Sequence, residues 1–188
     1  SKLKQQYFIG NQENNILLHQ LDYTHKFAGF WLLNFMGKTS NNTLETDNFA
    51  NRNYEIDATE IQPKISFLYN ENNRFSVFYH HKNKQNNLKN FEKLNQQKFG
   101  IDYFYISKKK NQISANINVF LNDFTGDFNT PVAYQMLEGL QAGKNYTWSL
   151  LFNQKLSSFL KLNINYLGRK SEDSKTIHTG NIQLRAVF

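Results

Sequence analysis

The feature that most constrains this chain is an alternation of apolar and polar residues with a period of two, repeated about nine times. Successive side chains of a β-strand point to opposite faces, so each such segment has one apolar and one polar face. Near the C-terminus, for example, Ile182 and Leu184 alternate with Gln183 and Arg185. The pattern predicts an all-β protein in which consecutive strands pair as an antiparallel meander.

The predicted connections alternate in length. Tight turns are expected at 26–29, 70–74, 108–111 and 155–158, and longer polar links at about 38–54, 83–96, 123–144 and 169–175. Each strand therefore pairs with its neighbour as a hairpin. A helix is expected only at Tyr134–Leu140, and a weak tenth strand near Tyr7–Ile9 would make the strand number even. No composition break divides residues 1–188, which predicts one domain.

Composition excludes several classes of protein. The chain has 188 residues, a formal charge of +7 and no cysteine, so disulfide scaffolds, Cys-ligated zinc sites and thiol nucleophiles are excluded. No run approaches the roughly 18 apolar residues that a transmembrane helix needs. The low mean hydropathy suggests a soluble basic domain, but a strand that faces lipid needs only every second residue to be apolar.

Alternation alone fits both a soluble barrel or sandwich and a transmembrane β-barrel. Three features favour the membrane: predicted strands of about 9–12 residues, short turns on one edge with long links on the other, and aromatic residues near the ends of the apolar faces. The predicted membrane-interface aromatic residues are Trp31, Tyr69, Tyr79, Tyr105, Tyr146, Trp148 and Tyr166. The expected fold is an up-and-down transmembrane β-barrel of about ten strands, or a sector of a larger one.

In such a barrel the polar faces would line the lumen. The predicted lumen residues are Asp22, Lys64, Asp102, Asn116, Asn118, Lys161, Asn163, Asn165, Gln183 and Arg185. Two interpretations stay open. In a ten-stranded barrel these side chains fill the narrow interior by hydrogen bonding, whereas in a wider barrel they line a pore.

The end of the chain carries a resemblance to a known class. Ile182, Leu184 and the terminal Phe188 resemble the C-terminal signature of bacterial outer-membrane β-barrel proteins, from which Ala186 departs slightly. The stretches 131–148 and 168–180 are similar to the ends of large Bacteroidota envelope barrels, and the Asn- and Lys-rich composition is similar to that of flavobacterial proteins. The resemblance implies a Gram-negative outer membrane, recognition by the barrel-assembly machinery, and a chain that is the C-terminal part of a longer one.

The expected function follows from that resemblance. The protein would serve as an anchor or scaffold in an envelope protein complex, or as a transport channel, with outer-membrane lipid, lipopolysaccharide and other envelope proteins as partners. The third long link is the most apolar of the four, and it is the candidate partner or plug loop. Its key residues are Pro131, Tyr134, Met136, Leu137 and Leu140. No cofactor is expected.

An outer-membrane hydrolase is one alternative. His178 lies close in sequence to Ser171, Asp173 and Ser174, so a Ser/His/Asp arrangement can be drawn at the rim. Polar loops produce such combinations often, and no catalytic residue is assigned.

Two ligand classes have weaker support. Asp123, Asp127 and Asn129 could offer oxygen atoms to calcium, but an Asx turn explains them more simply, and no metal is expected. A basic, aromatic chain could also be a soluble barrel that binds nucleic acid. Because the lysines are scattered over turns, links and polar faces, no nucleic-acid partner is expected.

Overall fold

The computed structural model of this chain is one ten-stranded antiparallel sheet, and it describes residues 2–7, 10–88, 92–107, 111–172 and 174–186. The strands follow one another in chain order across the sheet. They are β1 (Lys2–Tyr7), β2 (Gly10–Phe27), β3 (Trp31–Thr46), β4 (Tyr54–Asn70), β5 (Asn73–Asn86), β6 (Lys93–Ile106), β7 (Gln112–Thr125), β8 (Gly143–Lys155), β9 (Leu160–Ser171) and β10 (Ile177–Ala186).

This architecture confirms the predicted all-β, antiparallel, up-and-down fold. Every strand pairs with its neighbours in the chain, and no pairing of β10 with β1 occurs among the described residues. The predicted tenth strand exists but lies at Lys2–Tyr7, while Phe8 and Ile9 fall outside the described residues. None of the helices within the described ranges is both long and apolar enough to cross a membrane.

The strands are longer than predicted. The prediction of 9–12 residues was wrong for most of them, since β2 has 18 residues, β3 has 16 and β4 has 17. β3, for example, continues past its apolar segment through Asn41 and Thr43, which pair with Leu17 and Asn15 of β2. Where both alternating sets of side chains are polar, the sequence shows no period of two and therefore predicts a link.

The links are correspondingly shorter. They cover 47–53, 87–92, 126–142 and 172–176 on one edge of the sheet, and 28–30, 71–72, 107–111 and 156–159 on the other. The predicted turn at 108–111 lies mostly outside the described residues, which omit Lys108, Lys109 and Lys110. Only the link at 126–142 is much longer than any turn, so the contrast between the two edges is weaker than predicted.

The sheet has two chemically distinct faces. We call the even-numbered residues of β2–β7 and the odd-numbered residues of β8–β10 the inner face, and the remaining residues of these strands the outer face. In β4, Glu60 and Ser66 of the inner face are buried, whereas Ile61, Ile65 and Tyr69 of the outer face are exposed. Apolar side chains outside and polar side chains inside are the arrangement expected of a barrel surrounded by lipid.

The apolar part of the outer face is a band of limited height. In β4 it extends from Ile61 to Tyr69, a rise of about 26 Å at roughly 3.3 Å per residue. A strand tilt of about 40° reduces this to about 20 Å, close to the apolar band of roughly 25 Å on outer-membrane barrels. The strands therefore extend beyond the apolar band on the long-link edge.

The apolar core lies at that same edge, on the inner face. Helix α1 (Pro131–Leu137) belongs to the link 126–142, which we call the insert. The hydroxyl oxygen of Thr130 accepts a hydrogen bond from the backbone N–H of Ala133 at 3.0 Å and caps the helix, and Pro131 occupies its first turn. The predicted helix, Tyr134–Leu140, was therefore placed three residues too late.

Candidate functional site on the inner face

The insert is docked on the sheet by a small apolar cluster. Four helix residues are buried there, and Met136 has no exposed surface. The cluster joins Val132, Ala133, Met136 and Leu137 of the helix to Tyr54, Ile56, Leu94 and Phe124 of the sheet. Tyr134 faces away and is 71% exposed, and Leu140 is half-buried. The predicted plug residues Met136 and Leu137 thus contact the inner face, while a plugging role stays a prediction.

Hydrogen bonds from three strands hold the C-terminal half of the insert. The ammonium group of Lys84 on β5 donates to the carbonyl oxygen of Met136 at 2.9 Å. The side-chain amides of Asn122 on β7 and Asn145 on β8 both donate to the carbonyl oxygen of Gln141, at 2.8 and 2.7 Å. The bond from Lys84 satisfies a carbonyl group in the last turn of the helix, and the two amide bonds satisfy a carbonyl group of the segment that follows it.

Ion pairs fix the C-terminal end of the helix. Oε1 of Glu138 lies 2.8 Å from Nζ of Lys82 and 2.7 Å from Nζ of Lys84. Burial alone would raise the pKa of Glu138, but the charges and hydrogen bonds of Lys84 and Lys82 outweigh it and hold that pKa below its ordinary value. The carboxylate of Glu138 therefore stays ionised where it docks.

A buried carboxylate, that of Glu60, shares Lys82 with the exposed carboxylate of Glu138. Glu60 on β4 contacts Lys38 Nζ at 3.0 Å, His80 Nε2 at 3.0 Å and Lys82 Nζ at 3.6 Å. Sequence analysis did not select this network. Inner-face parity could have placed Lys38, Glu60 and Lys82 on one surface, but nothing in the sequence indicates that Glu138 of the insert joins them.

All ten predicted lumen residues lie on the inner face, and several pairs meet there. Lys64 and Asp102 form an ion pair at 2.6 Å. Asn116 donates to Ser149 at 2.6 Å, and Asn118 donates to both Asn116 and Thr147 at 3.2 Å.

The other predicted lumen residues lie on β2, β9 and β10. The side chain of Asp22 accepts a hydrogen bond from Gln20 at 2.7 Å. The register places Lys161 opposite Arg185, Asn163 opposite Gln183, and Asn165 opposite Asn181. Lining a lumen stays a prediction for all ten residues.

Basic side chains outnumber acidic ones on the inner face of β2–β10. The basic residues there are Lys26, Lys38, Lys64, Arg74, Lys82, Lys84, Lys98, Lys155, Lys161, Arg169 and Arg185. The acidic residues are Asp22, Glu60 and Asp102. The outer face of the same strands carries the acidic residues Glu13, Glu45, Glu55, Asp57 and Asp123 against the lysines Lys93, Lys144 and Lys170. The positive charge of these strands is therefore concentrated on the inner face.

The predicted interface aromatics all lie on the outer face. Trp31, Tyr69 and Tyr105 are at the ends of their strands on the short-turn edge. The other four lie where the apolar band ends toward the long-link edge, because the outer-face positions between them and that edge are mostly polar: Tyr79, Tyr146, Trp148 and Tyr166. Their contact with a membrane interface stays a prediction.

His178 joins the second aromatic group rather than a catalytic arrangement. Its Nδ1 lies 2.8 Å from the phenolic oxygen of Tyr166, which also accepts a hydrogen bond from the indole of Trp148 at 3.3 Å. The backbone N–H of Ser174 donates to Ser171, and Asp173 is outside the described residues. The described contacts therefore do not assemble the Ser/His/Asp arrangement.

The candidate calcium ligands Asp127 and Asn129 belong to a turn. Asp127 accepts a backbone hydrogen bond from Asn129 at 2.9 Å, which is an Asx turn. No group of three potential metal ligands occurs among the residues that the structure describes. Ile182 and Leu184 are exposed on the outer face of β10, and Phe188 lies outside the described residues.

Comparison with known proteins identifies the type of barrel. No protein-family model and no curated protein sequence matches the chain. Among solved structures, the chain is similar to "Outer-membrane expressed OmpT of Vibrio cholerae", with a TM-score of 0.57 and 9% sequence identity over 89% of this chain. The chain has the fold of an outer-membrane β-barrel. It spans about half of that structure, since the match covers 53% of it.

Proposed function

We propose that this protein is a β-barrel of a Gram-negative outer membrane that works as a transport channel with a preference for anions. The similarity of fold and the exposed apolar outer face support the membrane location, because lipid would remove these apolar side chains from water. The match to half of a larger structure supports a wider barrel of which this sheet is a sector. A Bacteroidota source remains part of the proposal.

The charge of the inner face carries the proposed selectivity. The eleven basic side chains oppose three acidic ones there, so the inner surface has a positive potential. Basic side chains that line a pore favour anions, because they lower the electrostatic cost of entry for negative charge and raise it for positive charge.

The insert sets the width of one mouth. It covers the inner face where the strands extend beyond the apolar band, and its docked helix reduces the open cross-section there. We therefore propose a constricted channel, gated or narrowed at the long-link edge, rather than an open pore.

Planar bilayer recordings test this proposal. The purified protein is reconstituted, and its reversal potential is measured in a potassium chloride gradient. We expect an anion-selective conductance that shifts toward cations when Arg169 and Lys64 are changed to Gln, and that is unchanged by Lys93→Gln and Lys170→Gln on the outer face. Cation selectivity would refute the proposal. A silent bilayer would favour the anchor or scaffold role, tested by co-purification with other envelope proteins.

A further inference from the structure

Three cations are aligned across the inner face at the short-turn edge. Lys155 at the end of β8 lies directly opposite Lys161 on β9, and Lys161 lies directly opposite Arg185 on β10. All three side chains are exposed and point to the same face. We call Lys155, Lys161 and Arg185 the basic row.

Such a row is unfavourable without a partner. Side chains directly opposite each other on neighbouring strands have Cβ atoms about 5 Å apart, and like charges in that position destabilise a sheet. The structure describes no ion pair for any of the three. Further along the sheet, by contrast, Lys64 pairs with Asp102 and Lys38 pairs with Glu60.

No acidic residue compensates the basic row from its own part of the sheet. The inner face of β7–β10 carries Arg169 in addition to the row, and it has no Asp or Glu within the described strands. The positive potential of these four strands is therefore available to a ligand.

A row of amides lies one step further along the same face. Asn153, Asn163 and Gln183 are directly opposite one another, two residues along each strand from the cations. Amide N–H groups donate hydrogen bonds to oxyanions, and amide oxygens accept them from ligand hydroxyls. The basic row and the neighbouring row of neutral hydrogen-bond donors together form a surface suited to an elongated oxyanion.

We propose that the basic row binds a solute that carries several phosphate groups. The row spans two strand spacings, about 10 Å, so one orthophosphate can contact only part of it, whereas a chain of phosphates can contact all three cations. Arginine at one end offers two parallel hydrogen bonds to phosphate oxygens, and the lysines act as point charges. The proposal rests on the channel proposed above, for which this site would capture solute at the short-turn mouth.

Isothermal titration of the detergent-solubilised protein with inorganic tripolyphosphate tests the site. We expect binding that weakens as ionic strength rises, since the site is exposed and its charges are screened by salt. Changing all three residues of the row to Gln (K155Q/K161Q/R185Q) should weaken binding about tenfold, because each exposed ion pair contributes a factor of about two to three. Orthophosphate should bind the parent protein more weakly than tripolyphosphate.

A matched variant controls for the loss of three charges. K93Q/K144Q/K170Q removes three exposed outer-face lysines and should leave tripolyphosphate binding unchanged. Heat-modifiable migration in gel electrophoresis shows whether each variant folds. If K155Q/K161Q/R185Q does not fold, the single change Lys161→Gln, at the centre of the row, replaces it. Equal weakening in both triple variants, no binding by the parent, or tighter binding of a hexaglutamate peptide would each overturn the proposal.

The titration does not depend on conductance, so the two proposals fail separately. A silent bilayer with intact tripolyphosphate binding refutes the channel and leaves the site. Anion-selective conductance without tripolyphosphate binding refutes the site and leaves the channel. If both proposals hold, tripolyphosphate should block the chloride current of the parent protein and should block that of K155Q/K161Q/R185Q at about tenfold higher concentration.

Discussion

The docking of the insert can be measured with a single thiol, because the chain contains no cysteine. Val132 is 4% exposed within the apolar cluster, and Val132→Cys exchanges it for a side chain of similar size. A membrane-impermeant maleimide should react slowly with this thiol and quickly with Tyr134→Cys on the exposed side of the same helix. The ratio of the two rates reports the equilibrium between the docked and undocked insert.

The second change weakens docking by a known amount. Met136 is fully buried, and truncating such a side chain to Ala costs about 2–5 kcal/mol. Since about 1.4 kcal/mol corresponds to a factor of ten, Met136→Ala should accelerate labelling of the Val132→Cys thiol by about 30-fold or more, up to the rate of an exposed thiol. Tyr134→Ala removes an exposed side chain and should not change the rate.

Two results would refute this reasoning. Equal labelling of Val132→Cys and Tyr134→Cys in the otherwise unchanged protein would mean that the helix is not docked. Unchanged labelling after Met136→Ala would mean that the apolar cluster does not hold the insert, and that its ion pairs and hydrogen bonds with the strands do so.

Three further predictions follow from single side chains. The pKa of Glu138 is lowered by docking, so its stabilising contribution is present above the pKa of the undocked carboxyl group and is lost as the pH falls through the docked pKa. The labelling rate of Val132→Cys, divided by that of the exposed Tyr134→Cys to cancel the pH dependence of the thiol itself, should rise on acidification, and Glu138→Gln should remove that rise. Gly168→Ala would place a methyl group against the ring of Trp148, which covers this glycine, and should lower the free energy of unfolding in urea by about 1–3 kcal/mol. The methyl group of Gly180→Ala meets no atom within 4 Å, so this control should lower it less. Asp102→Asn removes an inner-face carboxylate and should shift the reversal potential further toward anion selectivity.

The order and pairing of the strands could be predicted because an apolar outer face imposes a strong alternation on the sequence. Where the outer face is apolar, as at Ile61 and Ile65, the alternation of apolar and polar residues shows which side chains point outward and which point inward. Beyond the apolar band both faces meet water, and residues such as Asn41, Thr43 and Glu45 have the same polarity in a strand as in a loop. Hydrogen bonds between backbones hold these residues in the sheet, and such bonds do not depend on residue type, so the sequence does not predict them.

The candidate site was only partly predictable for a different reason. Parity within each strand depends only on local sequence, and the register places Lys64, Asp102, Lys161 and Arg185 on one face. The contact of Lys84 with Glu138 joins residues that are 54 positions apart, and it depends on how the insert folds back over the sheet. The start of the helix, by contrast, is readable from Thr130 and Pro131, a capping residue followed by a proline in the first turn.

The distribution of charge links the insert to the proposed channel. Of the inner-face lysines on β3–β5, Lys38 is paired with Glu60 and Lys64 with Asp102, and Lys82 and Lys84 are paired with Glu138 of the insert itself. On β7–β10 nothing within the described strands compensates the cations. Undocking the insert would therefore widen one mouth and also expose two ammonium groups that Glu138 neutralises. A channel built this way becomes more selective for anions as it opens, so Met136→Ala should raise anion selectivity together with conductance.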